Sequence, residues 1–195
     1  MANDKHRDES RSSTYEALIA AAMDILDEKG YLGTTTREIA ARAGFTEVTL
    51  YRHFRSKDEL LSAGINRQAQ KMLDLLFEPT GNLEQDLLAL AKGLSVTLSS
   101  DIDHIISLLP ELSRYPVLLS GDALRIMQSF DDGLAKFFRY YQQTGELKEN
   151  NIDQIVRTFA GPMLTNMLFS KVINTSVEFD YELYVKRFLA GYRKT

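Results

Sequence analysis

A chain of 195 residues, 44% of them hydrophobic, is long enough to bury one full core or two small ones. It has no cysteine, which excludes a disulfide framework and a thiolate metal site. It also has no run of about 18 apolar residues to span a bilayer. The polar start, MANDKHRDESRSS, lacks the apolar stretch of an export signal, so a cytoplasmic protein is expected.

Residues 1–12 read as a frayed arm in which Lys5, Arg7 and Arg11 alternate with acidic neighbours. Ser13 and Glu16 then have capping-box spacing. Leu18, Ala21, Ala22, Ile25 and Leu26 recur at three and four, predicting a helix to Lys29 with Gly30 as its stop. Thr35 and Glu38 repeat the box before a helix barely two turns long, whose buried face is Ile39, Ala40 and Ala43 and whose end is Gly44. Thr46 caps a third short helix running through Phe54.

Ser56 and Glu59 open a fourth helix, and its stripe of Leu60, Leu61, Ile65, Met72, Leu75 and Leu76 predicts roughly 22 residues up to Pro79. No linker signal interrupts this rod, so movement at one end is expected to reach the other. Asn82 caps the next helix, with Leu83, Leu87, Leu90, Ala91, Leu94 and Leu98 on one face. Asp101 to Arg114 also reads as helix, and Pro110 is expected to kink or split it.

A long pattern runs from Leu124 through Tyr141 and stops near Gly145. Asn151 and Gln154 start a helix whose apolar residues come in pairs, from Ile155-Val156 to Met167-Leu168, a stripe wider than one neighbour needs. Gly161-Pro162 should bend this helix or free a carbonyl. Phe179 to Tyr192 forms the last helix. The fold class is all-α, with residues 1–56 as one domain and residues 57–195 as the other.

Net charge is −4, yet from Gly30 to Lys57 five basic residues (Arg37, Arg42, Arg52, Arg55, Lys57) face only Glu38 and Glu47. On the third helix Leu50 and Phe54 lie four apart and form the buried side. Val48, Thr49 and Arg52 point the opposite way, with Tyr51 and His53 on the flanks. Such a face fits a major groove, where Arg52 can donate to a guanine edge and Val48 or Thr49 can touch a thymine methyl. Tyr51, His53 and Lys57 fall where phosphates run, and the helix starts at Thr36 and Lys57 offer backbone N–H groups. A helical corner that binds no DNA has the same spacing.

Residues 17–61 resemble the DNA-binding region of the tetracycline-repressor (TetR) family. The resemblance rests on Ala21-Ala22, Lys29-Gly30-Tyr31, Thr35-Thr36-Arg37-Glu38-Ile39-Ala40 and Ala43-Gly44. It continues through Thr49-Leu50-Tyr51-Arg52-His53-Phe54 and Ser56-Lys57-Asp58-Glu59-Leu60-Leu61. It implies an N-terminal three-helix helix-turn-helix domain, joined by a continuous helix to a helical ligand-binding and dimerisation domain. It also implies a homodimer that represses from a palindromic double-stranded operator until a small molecule binds. Thr36, Arg37, Tyr51, His53 and Lys57 would touch the DNA backbone, and Glu47, Val48, Thr49 and Arg52 the bases. The sequence departs from the family at Glu47, where lysine or glutamine is frequent. A carboxylate there either favours the helix N-terminus or accepts from a cytosine amino group.

The doubled stripe and the last helix together suit a four-helix interface with a second copy. His104, Tyr115, Met127, Phe130, Phe159 and Met163 are the candidates to line a site for an apolar or amphipathic effector, with Phe137 and Met167 of the same type. No enzyme is expected. His6, His53 and His104 have no metal-ligand spacing, no motif places a nucleophile, and no cofactor or metal is implied. The alternative is a helical ligand- or partner-binding module without DNA recognition.

Overall fold

The structure is a computed structural model that describes residues 2–100, 102–119, 121–175 and 178–194, with side chains from Arg11 onward apart from Ser100 and Gly121. Lys5 and Arg7 of the expected arm therefore lie outside the described side chains. Nine α-helices occur among the described residues: α1 (Ala2–Gly33), α2 (Thr36–Arg42), α3 (Glu47–His53), α4 (Lys57–Leu73), α5 (Leu83–Ser100), α6 (Ile102–Arg114), α7 (Gly121–Gln143), α8 (Ile152–Val172) and α9 (Tyr181–Tyr192). The all-α expectation holds. None of these helices is long and apolar enough to cross a membrane.

Two compact units share the chain. One comprises residues 1–68 and 103–124, the other residues 69–102 and 125–195. In the first, Leu18, Ala22, Ile25 and Leu26 of α1 are sealed against Ile39, Leu50, Leu60, Leu61 and Leu118. In the second, α5 supplies Leu83, Leu87, Ala91 and Leu94 to a core with Phe138, Tyr141, Ile155, Phe159 and Phe188. Its aromatic rings meet edge to face, as Phe138 does with Phe159 at 5.5 Å.

The predicted caps are present. Thr35 Oγ1 accepts from Glu38 N at 3.3 Å, and Thr46 Oγ1 from Thr49 N at 3.2 Å. The Asn82 and Asn151 amide oxygens each accept from the N–H three residues on, at 3.2 Å.

Several expectations need correction. The backbone is helical from Ala2, so Ser13 and Glu16 sit inside α1 and cap nothing; the preceding residues contain no Gly or Pro to stop the helix. The regular helix does break where expected, at Gly30 with φ 66 and ψ 179. α4 stops at Leu73, well before Pro79. Its last turn tightens, with Leu75 N bonding Met72 O and Leu76 N bonding Leu73 O. Leaving the helix turns Leu75 toward Gly93 and seats Leu76 where a Cβ on Gly133 would collide with it. Packing wins there over the helical period.

Pro110 does not split α6, which runs through it, and at Pro162 the expected freed carbonyl is present although α8 continues. In α8 the carbonyl that Pro162 cannot serve, that of Thr158, accepts from Tyr184 Oη at 3.0 Å, and Phe159 O accepts from the same hydroxyl at 2.6 Å. Burial pushes the Tyr184 phenol up to about 12, which keeps that donor protonated.

Candidate nucleic-acid interface

The α2–α3 corner is built by a helix stop and a helix start in close succession. After C-cap Ala43, Gly44 takes φ 80, its N–H bonds Ala41 O at 3.1 Å, and Phe45 N bonds Ala40 O at 2.8 Å. This double closure satisfies the carbonyls at the end of α2 and turns the chain into the Thr46 cap of α3. Leu50 is fully buried and Phe54 nearly so, which fixes the inner side of α3. The opposite side is open, with Val48 64% and Tyr51 53% exposed and Arg52 exposed beside them. The sequence-derived wheel is the one observed.

Part of the local charge is already engaged. Arg42 makes a two-pronged bond to Glu28, at 2.6 and 2.7 Å, and that bond holds the Glu28 carboxyl below its ordinary range. Lys29 pairs with Glu38 at 2.5 Å. Lys57 turns toward Tyr31, donating to its carbonyl at 2.8 Å and standing 3.9 Å from the ring centroid. Arg37 and Arg52 have no hydrogen-bond or ion-pair partner among the described residues and are exposed. Arg55 is exposed too, and only its backbone N–H is engaged, by Glu59 at 2.7 Å. The cationic patch thus narrows to Arg37, Arg52 and Arg55.

Glu47 is half-buried and held. Its Oε1 accepts from Thr36 Oγ1 at 2.8 Å, and the Thr36 hydroxyl lies 3.3 Å from Tyr51 Oη. The three polar groups form one chain across the corner, linking the start of α2 to the start and second turn of α3. His53 lies at the rim against Tyr15 and Phe54, with ring centroids 6.3 and 6.4 Å away. Burial and then the charge of Arg11 hold its imidazole below the ordinary 6.5, so it is neutral at neutral pH and able to donate one hydrogen bond. Thr49 is partly exposed, its hydroxyl 3.1 Å from that of Thr46.

The sequence reading missed the group that holds this corner from behind. Tyr31 N donates to Glu111 Oε2 at 2.6 Å, its hydroxyl donates to Asp58 at 2.7 Å, and its ring meets Tyr115 at 4.4 Å. Glu111 lies 80 residues away from Tyr31, and no periodicity or cap signal joins them.

The six residues expected around an effector are shared between the two units. In the first unit His104 pairs with Asp27, whose carboxyl is raised by burial, and Tyr115 packs on Tyr31. In the second, Phe159 and Met163 are core residues, Phe130 packs against that core, and Met127 is exposed.

Residues 18–63 match the family model of bacterial regulatory proteins, tetR family. The chain is 30% identical over 172 residues to the DNA-binding transcriptional repressor TetR of Mycobacteroides abscessus, covering 83% of this chain and 84% of that one. It is 27% identical over 131 residues to an uncharacterised HTH-type regulator, YvkB, of Bacillus subtilis, covering 67% of each. The fold is similar to that of a TetR family transcription regulator from Marinobacter aquaeolei VT8, with TM-score 0.76 and 16% identity over 98% of this chain and all of that one.

Proposed function

The chain belongs to the TetR family of bacterial regulatory proteins, which are ligand-responsive DNA-binding transcriptional regulators and not enzymes, and from that premise we propose how this member works. Two copies bind a palindromic operator in the cytoplasm as a homodimer and repress until a small molecule binds. α3 enters the major groove. Arg52 donates to a guanine edge, and Val48 and Thr49 meet thymine methyl groups. Arg37, Tyr51 and His53 take phosphates, and Thr36 and Lys57 contribute through the backbone N–H groups at the starts of α2 and α4. Lys57's ammonium holds Tyr31, so its role is positional as well.

One observation carries this reading: the exposed side of α3 presents Arg52, without a partner among the described residues, together with Val48 and Tyr51, while the neighbouring cations Arg42 and Lys57 are neutralised or turned inward. For Glu47 the Thr36 bond supports a role in setting the α2–α3 angle, with cytosine reading a second use of the same carboxylate. A single short helix needs a second copy about 34–36 Å away to gain affinity. We assign that pairing to α8 and α9, whose outer side leaves Phe169, Val172, Ile173 and Leu183 exposed. The effector is placed in residues 57–195, in the neighbourhood of Phe130 and Met163. Selection of bound genomic fragments should return a twofold-symmetric site, and affinity for it should fall steeply with salt. Fragments without a common site would remove the operator reading.

A further inference from the structure

α1 breaks at Gly30 but does not end there. The glycine's φ of 66 and ψ of 179 lie in a backbone region open to glycine and closed to L side chains, and the helix resumes as far as Gly33. The extended ψ turns the Gly30–Tyr31 peptide out of line with the helix, and both of its polar groups take other partners. Gly30 O accepts from the Thr34 hydroxyl at 2.8 Å, and Tyr31 N–H donates to Glu111 Oε2 at 2.6 Å. A Cβ on Gly30 would stand 3.2 Å from that same oxygen, so the glycine also leaves Glu111 room to approach. A simple helix stop requires neither feature.

Glu111 reaches this break from α6, inside the same compact unit. No residue of α6 is fully buried, and Leu108 and Leu112 pack only partly buried against the core of the unit, which raises the weight of the helix's polar bonds. The Glu111 side chain is 13% exposed, with the exposed Arg114 guanidinium 3.8 Å from its Oε1. A carboxylate bonded to a backbone N–H is a charge-assisted pair, stronger than a neutral one. Tyr31 in turn engages the first two residues of α4 with three of its groups. Its carbonyl accepts from Lys57 Nζ at 2.8 Å, its ring centroid lies 3.9 Å from that ammonium, and its hydroxyl donates to Asp58 Oδ1 at 2.7 Å. One residue therefore connects the Glu111 carboxylate to the α4 N-terminus.

We propose that Glu111 is a positioning residue for operator recognition: by holding the Tyr31 N–H it fixes the start of α4 where that start meets a phosphate. Glu111 touches no DNA itself. The assignment rests on the operator reading above, and it adds to the DNA-binding machinery a residue of α6, outside the matched segment 18–63.

The test uses the full-length protein and two duplexes, the site recovered by genomic selection with the wild-type chain and a scrambled duplex of equal length and composition. Glu111→Ala removes the acceptor and should weaken binding to the recovered site about tenfold, the scale of one hydrogen bond to a charged group. Binding to the scrambled duplex at low salt, which depends on charge and not on register, should not weaken. Glu111→Gln keeps an oxygen to accept the Tyr31 N–H and should bind the recovered site within about threefold of wild type. Circular dichroism confirms that both variants fold. Amide hydrogen exchange followed by NMR reads the same hold without DNA. In Glu111→Ala it should quicken at Tyr31 and at Leu60, whose N–H closes the first turn of α4 on Ser56 O.

Unchanged affinity of Glu111→Ala for the recovered site, an equal loss on both duplexes, or a Gln variant as weak as the Ala variant would each overturn the proposal. An equal loss would mean that Glu111 only keeps the unit folded. If the wild type does not distinguish the two duplexes, the operator reading falls, and exchange still decides Glu111. Quickened exchange at Tyr31 and Leu60 upholds its hold on α4, and unchanged exchange removes it.

Discussion

The outer side of α3 and the outer side of the last turns of α8 expose opposite chemistries from similar scaffolds. Each helix is fixed by a buried stripe, Leu50 and Phe54 in one, Ile155, Phe159 and Met163 in the other. Around α3 the exposed groups are Arg37, Arg52, a tyrosine and a valine. Exposed cations are well solvated and cost nothing to leave uncovered. At the end of α8, Phe169 is 63% and Val172 70% exposed, next to Ile173. A cluster of large apolar side chains in water favours being covered. The first region carries charge that is stable in water, and the second carries apolar surface that the proposed second copy would cover.

Breaking the scaffold under the first region should have the largest effect. Leu50→Ala removes the anchor of a seven-residue helix and should cost about 2–5 kcal/mol in denaturant unfolding. A cost below about 1 kcal/mol would mean that α3 is held by its caps and not by Leu50. Changing the second region should alter assembly with little change in fold. Phe169→Asp with Val172→Asp should give a monomer by sedimentation at micromolar concentration, and operator affinity should drop at least tenfold. A dimer that persists would move the interface elsewhere.

On the reading face the effects are smaller and separable. Arg52→Ala should cost about 1–3 kcal/mol of operator binding and relax preference at one base pair. Arg37→Ala should instead weaken all sequences alike and lower the salt slope by about 1. If the two variants behave identically, their division into base and phosphate contacts fails.

The smallest effect is on pH dependence. His53 is depressed below 6.5 by burial and by Arg11, so it contributes stability above that pH that is lost as pH falls through the lowered folded value. The thermal midpoint should therefore decline on acidification below about pH 6.5, and His53→Gln should flatten part of that decline. Parallel curves for the two proteins would clear His53.

What the sequence determined by itself is local. Caps at Thr35, Thr46, Asn82 and Asn151, the stop at Gly44, and the Leu50–Phe54 stripe depend on residues three or four apart, and each was found as read. The orientation of the reading face follows from that stripe, so it too was legible. What only the tertiary structure decided depends on groups distant in sequence. Glu111 fixes Tyr31 from 80 residues away, Asp27 takes His104, and Tyr184 serves the carbonyl freed by Pro162. α4 ends early because Leu75 and Leu76 find places beside Gly93 and Gly133. The large apolar residues that composition marked for an effector are divided between core and surface. Composition states what a side chain is made of, while only packing decides which of these side chains are buried and which stay at the surface.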